Sequence, residues 1–299
     1  MQKIQIGQVA IAGFKALFGQ FGAAVRIGWL PLVLVAGSQT VAILLIGNAA
    51  IEAAHETGVF DIKDQGQKFA MMKSIGIDLL IDYAWLGVVV FIVTVAAYVM
   101  LTSNWLRHLL RGDEPAGRIA TVGFGAREIK TLFAGLVLVV LMIGFGLAGA
   151  AFAWFSNNQF VFVPMFLLLF VLNIIVYFIV LRLSLVLPMV ALDQGIGWGT
   201  AWRMSRGNIW RLFWAFFLAS LLVNVVFMVV QIPFAMIGGA VSLTSPEGIL
   251  SGVAIQMAGY AVTYVIGFIV VLGSLAEAYR QLDGPGSMVR EDTLAVFDG

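Results

Sequence analysis

The chain has 299 residues, 61% hydrophobic and only 11% charged, with a formal net charge of +1 and a mean hydropathy of +1.01. Soluble chains run at about 45–50% apolar and about 25% charged, so a soluble fold could not cover this much apolar surface, and the small net charge gives no overall pull toward nucleic acid. The absence of cysteine excludes a disulfide framework, thiolate metal ligation and cysteine catalysis together.

The first 25 residues differ from the rest of the chain. Ile4, Gly7, Ile11, Phe14, Phe18, Phe21 and Val25 recur at helical spacing, while Lys3, Gln5, Gln8, Lys15 and Gln20 stay off that line. This predicts an amphipathic helix lying in the membrane interface over residues 1–26. A cleaved signal peptide is the competing reading, against which Lys15 interrupts the apolar run. A spanning helix needs roughly 20 apolar residues. Six segments meet that length, at 27–50, 79–106, 131–155, 161–187, 212–237 and 249–276. Their apolar residues run continuously rather than alternating, which argues against barrel strands. The expected fold is an all-α integral membrane protein, a single polytopic domain over 1–299. It has six transmembrane helices, interfacial amphipathic helices on the cytoplasmic side, and a cytoplasmic tail at 277–299.

Between the first two spans, residues 51–76 read as an outer loop with Glu52, Glu56, Asp61 and Asp64 set against three lysines. It holds His55, whereas His108 falls at the far end of the second span, so the two cannot share a metal. Asp78 and Asp82 lie on one helical face. A proton or cation site is one reading, because ionisable groups inside membranes are costly and usually functional. The other places Asp82 at the interface beside Lys73, since residues 83–104 already cross the hydrocarbon at about 1.5 Å per residue. The third span is slim, with Gly144, Gly146, Ala148, Gly149 and Ala150.

Arg182 ends the apolar run of the fourth span and is expected to snorkel to the inner headgroups. Asp193 and Glu277 are candidate partners for it, or for Arg203 and Arg280. An inner-face ion network of Arg182, Asp193, Glu277 and Arg280 competes with a gate. In "GIGWGTAWRMSRGNIWRLFWAFF", residues 195–217, Trp198, Trp202 and Ile209 share an apolar edge, with Arg203 and Arg206 elsewhere on the surface. Gly207-Asn208 is a break, and Trp210 and Arg211 open the fifth span. Trp198, Trp202, Arg203, Arg206, Trp210 and Arg211 are therefore candidate headgroup anchors. On the sixth span, Gly252, Gln256, Gly259, Thr263 and Gly267 line one face, with Gln256 and Thr263 as its polar members. This stripe is either a helix-packing seam or part of a conducting path. No ionisable residue takes a midplane position, which weighs against an ion-coupled transporter.

Orientation follows from the basic residues. Lys3, Lys15 and Arg26, then Arg107, Arg111, Arg118, Arg127 and Lys130, then Arg182, Arg203, Arg206 and Arg211, and finally Arg280 and Arg290 fall on one side. Only Lys63, Lys68 and Lys73 fall on the other. Both termini are thus expected to be cytoplasmic. Trp29, Trp105, Trp198, Trp202, Trp210 and Trp214 mark the same inner boundaries and Trp85 and Trp154 the outer ones, because indole favours the headgroup level. Each odd-numbered span follows a glycine-aromatic, basic stretch, beginning at Gly13-Phe14, Gly123-Phe124 and Gly197-Trp198. Three helix-hairpin units would explain this, as would a shared need for anchors.

The stretch "RLSLVLPMVALDQGIGWGTAWRMSRGNIWRLFWAFF", residues 182–217, resembles bacterial six-span inner-membrane proteins of unknown function, related to the membrane domain ahead of some glycerophosphodiester phosphodiesterases. The shared pattern is Arg182, Pro188, Asp193, the aromatic-rich helix Trp198 to Met204, and Ser205. The resemblance implies a bacterial inner-membrane location and the six-span layout. It carries no hydrolase activity here, because the catalytic domain has no counterpart and the chain holds only two histidines. The expected function is non-enzymatic: an envelope or lipid-related organiser, or an accessory subunit of a membrane complex. The alternative is a transporter or channel for a small or amphipathic substrate. No cofactor or metal is expected. Membrane lipids, and other membrane proteins, are the expected partners. Nucleic acid is not one, since arginines at a bilayer surface meet lipid phosphates first.

Overall fold

A computed structural model describes the backbone of residues 3–59, 62, 64–112, 125–155, 159–242 and 246–283, and their side chains except at 68, 142–155, 159–167, 169 and 246–250. The expectations at Asp61, Lys63, Lys68, Arg118, Gly123-Phe124, Trp154, the small residues of 144–150 and Arg290 lie outside these. Every regular element among the described residues is helical: α1 (Ile6–Gly19), α2 (Phe21–Glu56), α3 (Gln65–Asp82), α4 (Ala84–Arg111), α5 (Ala126–Phe155), α6 (Gln159–Ser184), α7 (Val186–Ala191), α8 (Trp198–Met204), α9 (Ile209–Ser242) and α10 (Pro246–Asp283). Five stretches are long and apolar enough to cross a bilayer: Phe21–Glu56, Ala84–Arg111, Phe170–Ala191, Ile209–Ser242 and Ser251–Asp283. The protein is an all-helical membrane protein. The expected span at 131–155 falls in α5, most of whose second half lies outside the described side chains.

The physical basis is plain in α9. Its 34 residues extend about 51 Å at about 1.5 Å each, well beyond a hydrocarbon core of about 30 Å. Met228, Val229 and Met236 expose 70%, 63% and 70% of their surface, a cost in water that lipid removes. Pro31 in α2 and Pro233 in α9 sit inside these helices; each deletes one backbone donor.

The chain divides into two compact units, one of Met1–Ile27, Val99–Val223 and Phe268–Gly299, the other of Gly28–Tyr98 and Asn224–Gly267. The divisions fall inside α2, α4, α9 and α10.

In the first unit, α1 packs by a face that the apolar stripe does not include. Val9, Ala12, Ala16 and Leu17 are buried, while Ile11, Phe18, Phe21 and Val25 are exposed. Gly13 lets α1 meet α10: a Cβ there would overlap the Val270 carbonyl, and one on Gly273 would stand 2.7 Å from the Gly13 Cα. The helix therefore has a protein face of small residues and an outward apolar face. It also ends earlier than expected. Gln20 leaves helical geometry (φ −124°, ψ 39°), so residues 21–26 already belong to α2. Trp105 departs from the headgroup expectation as well. It is fully buried and donates Nε1–H to the Ile269 carbonyl at 3.1 Å, which satisfies the indole without water. His108, also buried, stacks on it with ring centroids 5.7 Å apart. Elsewhere in this unit α5 packs on α6 and α7, and α6 on α8.

In the second unit, the expected outer loop is largely helical. α2 continues to Glu56, and α3 takes residues 65–82. Asp64 starts α3, its Oδ1 accepting the N–H groups of Gly66 at 2.7 Å and Gln67 at 3.3 Å, an N-cap that satisfies orphan donors. The chain breaks again at Tyr83. The second span thus begins at Ala84 rather than 79, and Asp78 and Asp82 lie exposed on α3. Val35, Ala97 and Ala261 form a small core in this unit, with Leu34, Ala36 and Tyr98 against it.

Candidate functional site

The segment from α7 to the start of α9 holds most of the residues singled out in the sequence, all in the first unit. α7 closes on a tight turn. The Asp193 N–H bonds the Val190 carbonyl at 3.0 Å, and the Gln194 N–H bonds that of Met189 at 2.9 Å. Asp193 takes φ 63°, the left-handed region that short polar side chains tolerate best after glycine.

This turn presents the Asp193 carboxylate to three guanidinium groups from α4 and α5. Arg127 Nε lies at 3.0 Å, Arg111 Nη1 at 3.2 Å and Arg107 Nη1 at 3.8 Å. Arg111 also donates to the Leu192 carbonyl at 2.6 Å. Partial burial pushes the carboxyl pKa up. The Arg127 hydrogen bond and the positive fields of Arg127, Arg107 and Arg111 outweigh it, so the group is held below its ordinary value of 3.8. One anion facing three cations leaves the cluster net positive. Next along the chain, Gln194 Oε1 accepts the Tyr279 hydroxyl at 2.8 Å.

Glu277 and Arg280 form a separate pair. Glu277 is 1% exposed and receives Arg280 Nε at 2.8 Å, Arg280 Nη2 at 3.1 Å and Gln281 Nε2 at 2.6 Å. The four residues expected in one network therefore divide: Asp193 serves α4 and α5, Glu277 and Arg280 serve each other, and Arg182 joins neither. The Arg182 guanidinium instead lies over the Trp202 ring, 4.3 Å from its centroid, a cation–π contact.

In α8, Trp202 and Arg203 are exposed and Trp198 is half-buried, and Arg206 is exposed in the turn that follows. Arg203 Nη2 reaches Thr200 Oγ1 at 3.5 Å. The expected break is present: Gly207 has φ 82°, and α9 begins two residues later. Trp210 and Trp214 are exposed at its start. Arg211, expected as a headgroup anchor, also makes a contact within the chain. Its Nη1 donates to the Ile4 carbonyl at 3.0 Å, while Asn208 Oδ1 accepts the Ile4 N–H at 3.2 Å and Gln281 Oε1 the Gln5 N–H at 2.8 Å. Together they hold the backbone that leads into α1.

No family model, curated protein or solved structure matches the chain.

Sequence reasoning missed Glu128. Buried at the start of α5, it accepts Ser103 Oγ at 3.1 Å and the Gly125 N–H at 2.9 Å. "GARE" carries the glutamate of a capping box at the required spacing, a signal that was available. Among the described residues no cluster of three His, Asp or Glu side chains has metal-site geometry.

The polar stripe of α10 lies in the second unit, packed against α9. A Cβ on Gly238 would stand 2.7 Å from the Gly252 carbonyl and 3.0 Å from Gln256 Cγ, and one on Gly259 would stand 2.7 Å from Phe234 Cβ. Thr263 Oγ1 accepts Gln231 Nε2 at 3.1 Å and donates to the Gly259 carbonyl at 2.8 Å.

Proposed function

We propose that the chain is a non-enzymatic multi-pass protein of the bacterial inner membrane, with six spans and both termini cytoplasmic, acting as a lipid-related organiser of the envelope or an accessory subunit of a membrane complex. The observation that carries this reading is the exposed surface at α8 and the start of α9. There Trp202, Trp210 and Trp214 stand with Arg203 and Arg206. Indole rings suit the headgroup region, and each arginine near an anionic leaflet contributes about 1 kcal/mol of attraction. The asymmetry of basic residues supports the orientation. The 30 residues of α5, more than a bilayer crossing requires, support the sixth span. The pattern of residues 182–217 supports the bacterial assignment.

A transport path along α10 has less support, because Phe234, Gly238 and Gly252 fill the contact between that helix and α9. Purification from native membranes in mild detergent, with mass spectrometry of bound lipid and protein, tests the reading. A retained lipid class or a stoichiometric membrane-protein partner is expected. A preparation holding neither, yet moving a solute across reconstituted vesicles, would replace it with the transport alternative.

A further inference from the structure

We propose that the groove between α6, α8 and α9 binds one anionic phospholipid, its phosphate held by Arg182 and part of an acyl chain lying along Phe178, Ile179, Ile209 and Trp210. This rests on the lipid-related form of the function proposed above and names the place and the chemistry.

The groove encloses about 310 Å³, near the lower end of small-molecule sites at about 300–1,000 Å³. That suits a headgroup phosphate and a stretch of one chain rather than a whole lipid. Its walls are aliphatic and aromatic apart from Arg182. They are also braced: the Phe178 and Trp210 rings meet edge to face with centroids 5.0 Å apart, and Phe178 and Phe213 meet at a tilt, 5.2 Å apart.

The charge in this groove is unanswered. Arg182 stands in the last turn of α6 with its guanidinium over the Trp202 ring. The π face of an indole attracts the charge but gives the N–H edge no oxygen acceptor. Among the described residues no carboxylate or carbonyl accepts from that edge. The two acids that the sequence offered as its partners are committed elsewhere, Asp193 to Arg107, Arg111 and Arg127, and Glu277 to Arg280. A phosphate oxygen would complete the donor set with the charge-assisted bonds that guanidinium favours. A soluble anion would meet the arginine but leave the apolar walls uncovered, whereas a phospholipid covers both. The exposed Arg203 of α8 and Arg206 in the turn after it add positive field, which favours a lipid of net negative charge over a zwitterionic one.

Native mass spectrometry of the full chain in detergent, titrated with phosphatidylglycerol and phosphatidylcholine of matched chains, is the test. The wild type is expected to retain phosphatidylglycerol preferentially. Arg182→Gln should lower that preference about fivefold, the worth of one interfacial arginine, while Arg182→Lys, which keeps the charge, should retain most of it. Ile179→Trp, which fills the groove, should reduce the occupancy of both lipids, and it carries the test if Arg182→Gln does not fold. A preference unchanged in Arg182→Gln, or an occupancy unchanged in Ile179→Trp, overturns the site while leaving lipid handling elsewhere on the protein standing. A wild type with no lipid preference but a co-purifying protein partner overturns the site and leaves the accessory-subunit reading standing. Displacement of the lipid by inorganic phosphate alone would make this a site for free phosphate and overturn the lipid assignment.

Discussion

Asp193 joins a backbone requirement to an electrostatic one. Its φ of 63° turns the chain after α7, and its carboxylate ties that turn to Arg107 and Arg111 of α4 and Arg127 of α5. The two contributions separate by substitution. Asparagine tolerates the left-handed conformation, so Asp193→Asn removes only the charge, at a cost of about 1 kcal/mol for a half-exposed pair. Asp193→Ala adds about 1–2 kcal/mol of backbone strain. Thermal unfolding in one detergent, followed by tryptophan fluorescence, should rank wild type above Asn and Asn above Ala. The pH dependence has a definite sign. The folded carboxyl titrates below its ordinary 3.8, so its stabilisation is present above that pH and lost as pH falls through the folded value. The wild-type advantage over Asp193→Asn should hold at neutral pH, begin to fall near pH 3.8 and vanish only below the lower folded value. Asp193 was legible in the sequence as a candidate, but its partners were not. Arg107, Arg111 and Arg127 are distant in the chain, and the choice among many basic residues is made by how α4, α5 and α7 pack. Arg182 is the reverse case: its position suggested an acidic partner, and the fold supplied an indole.

The helices show where apolar periodicity informs and where it stops. The break between α8 and α9 was legible, because Gly207 supplies the positive φ that the turn demands. The spanning helices announce themselves by length and composition. The protein face of α1 did not, because alanine and glycine look neutral until a partner helix is known. The exposed stripe of large apolar residues is what the spacing detected. α3 was missed because its polar and apolar residues mix without a long apolar run, although Asp64 carried the cap signal. The α1–α10 contact makes a sharp prediction. Gly13→Leu has no room against the Val270 backbone and should lower the unfolding temperature strongly or abolish folded protein. Gly7→Ala, with nothing within 4 Å, should be neutral or stabilise by up to about 1 kcal/mol through helix propensity. Equal unfolding temperatures for the two variants would refute the close packing.

For the whole molecule, composition alone decided the class, and the long apolar helices carry it through. The side of the membrane on which the α7–α9 segment lies is a matter of basic-residue asymmetry, a statistical preference of insertion rather than a contact within the fold. The lipid-facing role proposed for that segment depends on its meeting the inner headgroups. The lack of native cysteine allows this to be tested without background, by placing single cysteines at Gln67 on α3, at Arg206 beside α8 and at Gly299. Labelling spheroplasts with a membrane-impermeant maleimide should modify Gln67→Cys directly, and Arg206→Cys and Gly299→Cys only after permeabilisation. Direct labelling of Arg206→Cys in sealed spheroplasts would contradict the orientation, and with it the assignment of the tryptophan–arginine surface to the cytoplasmic leaflet.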